Sequence, residues 1–120
     1  MTAIQASNLT RIFAVGEEKV RALDDIDLTL EKGVLAAVVG PSGSGKSTLL
    51  ALLGGLDTPT SGSITVDGGE LSGMSPDELA EYRRTSVGFI FQDFFLLGHL
   101  TALENVEIPM KLAGVPHTER

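Results

Sequence analysis

A chain of 120 residues with 42% hydrophobic residues has the length and composition of one ordinary globular domain. Its net charge of −7 argues against a nucleic-acid-binding surface, because such surfaces need clustered Lys and Arg and the nine basic residues here are dispersed. The lack of cysteine excludes disulfides and thiolate metal sites, as is usual in a reducing compartment. No secretory signal and no membrane-spanning apolar run is predicted, so we expect any membrane role to be peripheral.

The first part of the chain predicts a pair of antiparallel strands. Residues 1–13 indicate a strand with a polar turn at residues 8–10, and a polar tip at residues 16–19 then reverses the chain. Between residues 20 and 31 apolar and polar side chains alternate, which is typical of a strand with one buried face.

A glycine-rich loop follows at residues 40–48, Gly-Pro-Ser-Gly-Ser-Gly-Lys-Ser-Thr, and satisfies the phosphate-binding pattern G-x-x-x-x-G-K-[ST]. The apolar run at residues 34–39 predicts a parallel strand buried on both faces. The run at residues 49–53 predicts a helix that ends at a Gly-Gly pair, residues 54–55. The motif therefore lies in the strand–loop–helix context that its chemistry requires.

The chemistry of this loop is electrostatic. Its glycines let successive backbone N–H groups surround a phosphate, and the N-terminus of the following helix adds positive potential. Lys46 supplies a full positive charge to the β- and γ-phosphates, and the hydroxyl of Ser47 is placed to bind Mg²⁺. A Gly/Ser-rich turn that contains a lysine by chance is the alternative, but the flanking strand and helix favour phosphate binding.

The next elements alternate between strand and helix. A turn at residues 57–62 precedes a short strand at residues 63–68. A helix is predicted after Ser75, because a capping serine, a first-turn proline and a glutamate together form a capping box. Residues 87–91 return to the pattern of a buried strand, with Gln92 at its carboxyl end.

A second capping box at Thr101 predicts the last helix, which we expect Pro109 to kink or break and residues 114–116 to end. The order of elements indicates an α/β fold whose mixed sheet has an antiparallel edge. Ligands of such sheets bind beyond the carboxyl ends of the strands, which is where the glycine loop and Gln92 fall.

Five ordered blocks of the sequence carry a resemblance to a known family. Together they closely resemble an ABC-transporter ATP-binding subunit, in particular the bacterial subunits of the lipoprotein-release and macrolide-export type. The similarity runs from about Leu9 to Gly114, and it is specific because the blocks match in order. They are residues 40–48, 54–62, 87–92, 96–97 and 100–106.

The resemblance implies the P-loop NTPase-like ABC nucleotide-binding fold, truncated after the Q-loop. Residues 1–120 would be the N-terminal part of one ATP-binding domain that binds ATP and Mg²⁺ to power transport by a membrane partner. Residues 1–33 would form its antiparallel β region. Residues 34–70 would hold the P-loop unit and the following strand, and residues 71–120 a helix, the Q-loop strand and the start of the helical subdomain.

The same resemblance assigns roles to individual residues. Phe13 would stack on adenine, the alternative being a core phenylalanine that ends a strand. Gln92 would contact Mg²⁺ and the attacking water, although a glutamine here could merely cap the strand. Lys46 and Gln92 would act in catalysis, and Ser47 and Gln92 would bind the metal. The Walker A residues around the nucleotide would be Gly40, Pro41, Ser42, Gly43, Ser44, Gly45, Lys46 and Ser47, with Thr48 beside them.

The implied partners are ATP, Mg²⁺, a transmembrane permease subunit and, in the complete protein, a second ATP-binding subunit in a head-to-tail dimer. The chain would then be cytoplasmic and peripheral on the inner face of the cell membrane. Residues 94–106 would meet the permease. Their apolar cluster would be a partner site if exposed and ordinary core if buried, and it comprises Phe94, Phe95, Leu96, Leu97 and Leu100.

The sequence also departs from the family. Residues 71–75 resemble its LSGGQ signature but precede the Q-loop, so we interpret them as a loop into a helix. The true signature, the Walker B strand, the catalytic glutamate and the switch histidine have no counterpart, so we expect weak nucleotide binding without turnover. Because the family's Walker B strand lies beside the P-loop strand, we also expect bare sheet edges, covered by self-association or by a longer natural chain.

Two rival interpretations remain from the sequence. A non-catalytic nucleotide-binding or interaction module would keep the fold and change the function. Another P-loop class, a GTPase or a small-molecule kinase, is disfavoured because the guanine-binding pattern Asn-Lys-x-Asp does not occur.

Overall fold

The computed structural model describes residues 1–90 and 96–120. The described elements are strands β1 (Thr2–Val15), β2 (Glu18–Glu31), β3 (Ser61–Val66) and β4 (Gly69–Glu70), helices α1 (Lys46–Leu53), α2 (Pro76–Ser86) and α3 (Ala102–Leu112), and a 3₁₀ turn at His117–Glu119. None of the described helices is long and apolar enough to cross a bilayer.

The four strands form one antiparallel sheet in the order β2-β1-β3-β4. β1 and β2 pair along their whole lengths, from Thr2 opposite Glu31 to Val15 opposite Glu18, with several register shifts between. Gly16 turns the chain with a φ of 63°, which a residue without a Cβ adopts at little cost. The predicted antiparallel pair is confirmed, and the alternating residues 20–31 lie in β2.

A small core lies between this sheet and the first two helices. α1 contributes Leu49 and Leu52, which are 8% and 1% exposed. α2 docks on the end of α1, where the hydroxyl of Tyr82 donates a hydrogen bond to the Leu53 carbonyl (2.9 Å). The buried apolar residues are Ala6, Leu9, Leu23, Leu49, Leu52, Ile64, Leu71 and Leu79.

Both predicted capping boxes are present and start α2 and α3. Ser75 accepts from the Glu78 amide at 3.2 Å, and Thr101 accepts from the Glu104 amide at 3.1 Å. Of the expected kink or break at Pro109, the break is wrong, since α3 continues to Leu112. Pro109 falls in the last turn, where its missing N–H removes only one hydrogen bond near the helix end.

The two predicted buried strands, at residues 34–39 and 87–91, are not formed in the described residues. Residues 34–39 and 87–90 carry no strand, and Leu35, Val39 and Ile90 are exposed by 101%, 87% and 103%. A parallel strand buried on both faces needs hydrogen-bonded neighbours on its two sides, and none of the described strands lies beside these segments. All strand pairings in the described sheet are therefore antiparallel.

Candidate functional site

The glycine-rich loop joins the exposed segment 34–39 to α1. A turn closes within it, where the Ser44 amide donates to the Pro41 carbonyl at 3.2 Å. Gly43 and Gly45 have φ values of 81° and 92°, the left-handed region that favours glycine. At Gly45 a Cβ would lie 2.3 Å from the carbonyl oxygen of Ala22, so only glycine allows the loop to pack this closely on β2.

The N-terminus of α1 is suited to an anion. Its cap is Gly45, which has no side chain to satisfy the free amides, and the first turn contains no acidic residue. The Leu49 amide makes the first intrahelical bond, to the Gly45 carbonyl at 2.9 Å. The preceding amides of the helix lack an intrahelical acceptor, and the helix dipole favours negative charge at this end.

Lys46 folds back over the loop. Its ammonium group donates to the carbonyl oxygens of Gly40 and Pro41, the second at 3.2 Å. The charge is thus held at the mouth of the loop by two main-chain acceptors. Because this side chain is long and rotatable, a phosphate could replace these acceptors without a change in the backbone.

The loop and the β1–β2 hairpin line an open cavity of about 520 Å³. Phe13, near the end of β1, lines this cavity together with Lys46 and Ser47. Arg21 and Lys46 both line the cavity, and its described lining includes no carboxylate, so its charge suits an anion. The lining residues are Phe13, Val20, Arg21, Ala22, Ser42, Gly43, Gly45, Lys46, Ser47 and Thr48.

The predicted site residues thus divide into three groups. Phe13, at the hairpin, is brought to the same cavity as the loop residues from Ser42 to Thr48, apart from Ser44. The second group comprises Gly40, Pro41 and Ser44, which do not line the cavity. The carbonyls of Gly40 and Pro41 accept from Lys46. Ser44 packs against Gly40, where a Cβ would lie 2.8 Å from Ser44 Oγ. Gln92 lies outside the described residues.

The hairpin adds cavity residues that the sequence reasoning missed. Val20, Arg21 and Ala22 reach the cavity because β2 pairs with β1 beside Phe13 and passes under Gly45. The alternating pattern predicted β2, but it gave no signal of which residues face the loop.

The apolar cluster proposed to meet a permease is only partly described. Leu96 and Leu97 are exposed by 69% and 44%, and Leu100 is half-buried. Phe94 and Phe95 lie outside the described residues.

The expectation that residues 71–75 form a loop into a helix is confirmed, because Leu71 is buried and Ser75 caps α2.

A second cavity of about 460 Å³ lies between the β3–β4 turn and α2 and differs in charge. Its lining includes the carboxylates Asp67, Glu78 and Glu81. Burial, and after it the charge of Asp67, raises the pKa of Tyr82 in the same wall, so the phenol is held neutral. A cavity with this lining repels phosphate, which leaves the loop cavity as the candidate anion site.

A family model described as "ABC transporter" matches residues 23–120. The chain belongs to the ABC transporter family. Among curated relatives, it is 50% identical over its full length to the macrolide export ATP-binding/permease protein MacB of Salmonella typhimurium and 49% identical, over 98% of its length, to MacB of Vibrio parahaemolyticus. The ABC chain spans 19% and 18% of these proteins.

Solved structures agree with this assignment and show the ABC ATPase cassette fold. The ATP-binding cassette MJ0796, solved as a dimer in a post-hydrolysis state bound to ADP and Pi, superposes with a TM-score of 0.86 at 41% identity. The match covers 95% of this chain and 48% of that one. A second dimeric structure of MJ0796 gives the same TM-score at 43% identity and covers 91% and 47% of the two chains. The chain therefore spans about half of these cassettes.

Proposed function

We propose that this chain is the Walker A-bearing part of an ABC ATP-binding domain and binds ATP in the loop cavity. The observation that carries the proposal is the juxtaposition of the uncapped α1 N-terminus, Lys46 and Phe13 around one anion-suited cavity. Loop amides and Lys46 would hold the β- and γ-phosphates, and Phe13 would stack on the base. The high identity to ATP-binding/permease proteins supports this over a non-catalytic module.

The residues present also fit Mg²⁺. The hydroxyl of Ser47 is exposed and lines the cavity beside Lys46, and it is a hard oxygen donor of the kind that Mg²⁺ accepts together with phosphate oxygens and water. When bound, the ion would neutralise charge between the phosphates. Ser47 would hold it, with Gln92 as the second protein ligand that the family resemblance implies.

In the complete protein we propose that this site drives transport. The matched relatives carry both ATP-binding and permease functions in their names, and the matched cassette is dimeric. By analogy, this domain would pair head to tail with a second copy and sit peripherally on the inner face of the membrane against a permease. Residues 1–33, 34–70 and 71–120 would serve as its β region, its P-loop unit and its permease-facing part.

Isothermal calorimetry with Mg·ATP tests the proposal. We expect Lys46→Ala to weaken binding by about 10- to 100-fold, because a hydrogen-bonded charge on phosphate contributes far more than a neutral contact. Lys111→Ala, which removes an exposed lysine from the last turn of α3, is the matched control and should bind as the wild type does. Equal affinity of the two variants would contradict the proposal. A parallel phosphate-release assay records whether binding leads to turnover.

A further inference from the structure

Arg11 lies directly behind Phe13 in the structure. The centre of its guanidinium group is 4.3 Å from the centroid of the Phe13 ring, a cation–π distance. The two residues are neighbours on one face of β1, because side chains two apart in a strand point to the same side. Phe13 lines the loop cavity and Arg11 is not among its described lining residues. One ring face is thus covered by a cation from outside the cavity.

The guanidinium group is itself fixed. Its Nε and Nη2 donate to the two carboxylate oxygens of Asp57 at 2.8 and 3.3 Å, and its Nη1 donates to the Ile12 carbonyl at 3.3 Å. This fork geometry defines the plane of the group as well as its position. Both side chains are only partly exposed, 24% for Arg11 and 30% for Asp57, so water competes less than at a surface pair.

Asp57 is in turn held by the turn that follows α1. Its Oδ1 accepts from the Thr58 amide at 2.8 Å. Thr60, in the same turn, binds β1 through two hydrogen bonds. Its amide donates to the Thr10 carbonyl (2.8 Å), and its Oγ1 accepts from the Ile12 amide (2.9 Å). A continuous set of contacts therefore connects the C-terminal side of the P-loop helix to the back of the Phe13 ring.

We infer that Arg11 and Asp57 are positioning residues that set the Phe13 ring for stacking on the base of the nucleotide. The inference rests on the proposed function, since it takes the cavity as the nucleotide site. A ring supported on one face keeps its other face in a fixed orientation, so less conformational freedom is lost when a base stacks on it. The ion pair would thus act on the base and not on the phosphates.

The test compares two probes, Mg·ATP and Mg·tripolyphosphate, which has the phosphates but no base. In Arg11→Gln and Asp57→Asn we expect ATP affinity to fall about three- to tenfold, in line with the loss of one cation–π contact and of ring order. Tripolyphosphate affinity should change less than about twofold, the effect expected of a surface substitution. Arg11→Lys keeps the charge and loses the fork, so its ATP affinity should lie between those of Arg11→Gln and the wild type. Arg84→Gln removes an exposed pair with Glu81, and neither residue is among the described lining of the loop cavity, so it is the matched control.

Nuclear magnetic resonance gives a second readout that needs no ligand. A guanidinium over an aromatic ring places the Arg11 δ-methylene protons in the ring current, so they should resonate upfield in the wild type. The shift should be lost in Phe13→Leu and reduced in Asp57→Asn. A backbone amide spectrum that matches that of the wild type establishes, for each variant, that the fold is intact. Phe13→Leu remains informative if Asp57→Asn does not fold.

The outcomes separate this inference from the proposed function. If the wild type prefers ATP to tripolyphosphate and the Arg11 and Asp57 variants keep the full preference, the inference is overturned and nucleotide binding stands. If the wild type binds both probes equally through Lys46, Phe13 does not stack and the inference fails, while the phosphate site stands. If neither probe binds, the proposed function fails and the inference fails with it. Absence of the upfield shift overturns the inference in every case.

Discussion

The P-loop helix and the segment that precedes the loop are both apolar, yet their environments are opposite. Leu49 and Leu52 in α1 are buried against the sheet, whereas Leu35 and Val39 in the preceding segment are among the most exposed apolar side chains of the described chain. α1 packs on strands that pair as a hairpin with each other, and the segment has no hydrogen-bonded neighbour among the described strands. Apolar character predicts burial only where a partner element is present.

The largest expected effect comes from a matched pair of leucine substitutions in these two regions. Leu52→Ala should lower the free energy of unfolding by about 2–5 kcal/mol, because it leaves a cavity in the core. Leu35→Ala should change it by less than about 0.5 kcal/mol, since the side chain is 101% exposed. Urea unfolding measures both. A large cost for Leu35→Ala would show that residues 34–39 are packed in solution and would remove the contrast.

A pair of glycine substitutions tests how the loop is held on the folded region. Gly45→Ala should lower the free energy of unfolding by more than about 2 kcal/mol, because a positive φ and a Cβ 2.3 Å from the Ala22 carbonyl combine. Gly43→Ala has a similar φ but open space around the Cβ, so it should cost only about 1 kcal/mol. Equal costs, measured by the same urea unfolding, would mean that the loop does not contact β2.

Tyr82→Phe tests the docking of α2 on the end of α1. Losing the hydrogen bond to the Leu53 carbonyl should lower the free energy of unfolding by about 1 kcal/mol. The pKa of Tyr82 is raised in the folded state. The contribution of the neutral phenol to the free energy of unfolding is therefore complete below the ordinary pKa of 10.0 and is lost as pH rises through the folded-state pKa.

Tyrosinate absorbance follows this titration directly, since Tyr82 is the chain's single tyrosine. We expect a folded-state midpoint above that of the urea-unfolded chain, and a loss of stability at alkaline pH that is absent in Tyr82→Phe. A midpoint that does not change on unfolding would contradict the partly buried, hydrogen-bonded phenol.

The sequence correctly predicted the structural features that depend on residues close together in the chain. The capping boxes at Ser75 and Thr101, the β1–β2 hairpin and the glycine loop before α1 are all local patterns, and each is present. The strands at residues 34–39 and 87–91 were predicted from apolar runs alone. Such strands require neighbouring strands from other parts of the chain, and an apolar run does not show whether those neighbours are present.

The candidate site divides in the same way. Lys46 and Ser47 follow from the motif itself, because the spacing fixes them at the start of a helix. That Phe13 belongs with the loop came only from the family resemblance, and the β1–β2 pairing explains how the two meet. The contact of Arg11 with Asp57 depends on a turn that returns to β1 over a separation of 46 residues, and no sequence pattern indicates it.

Backbone amide chemical-shift mapping with Mg·ATP tests the central claim, that the loop cavity is the nucleotide site, most directly. We predict that the largest shifts occur at Gly43, Gly45, Lys46 and Ser47, with a second set near Phe13, and that Lys46→Ala makes both sets smaller at the same Mg·ATP concentration. Shifts confined to the acidic cavity by α2, or no shifts at millimolar Mg·ATP, would contradict the account.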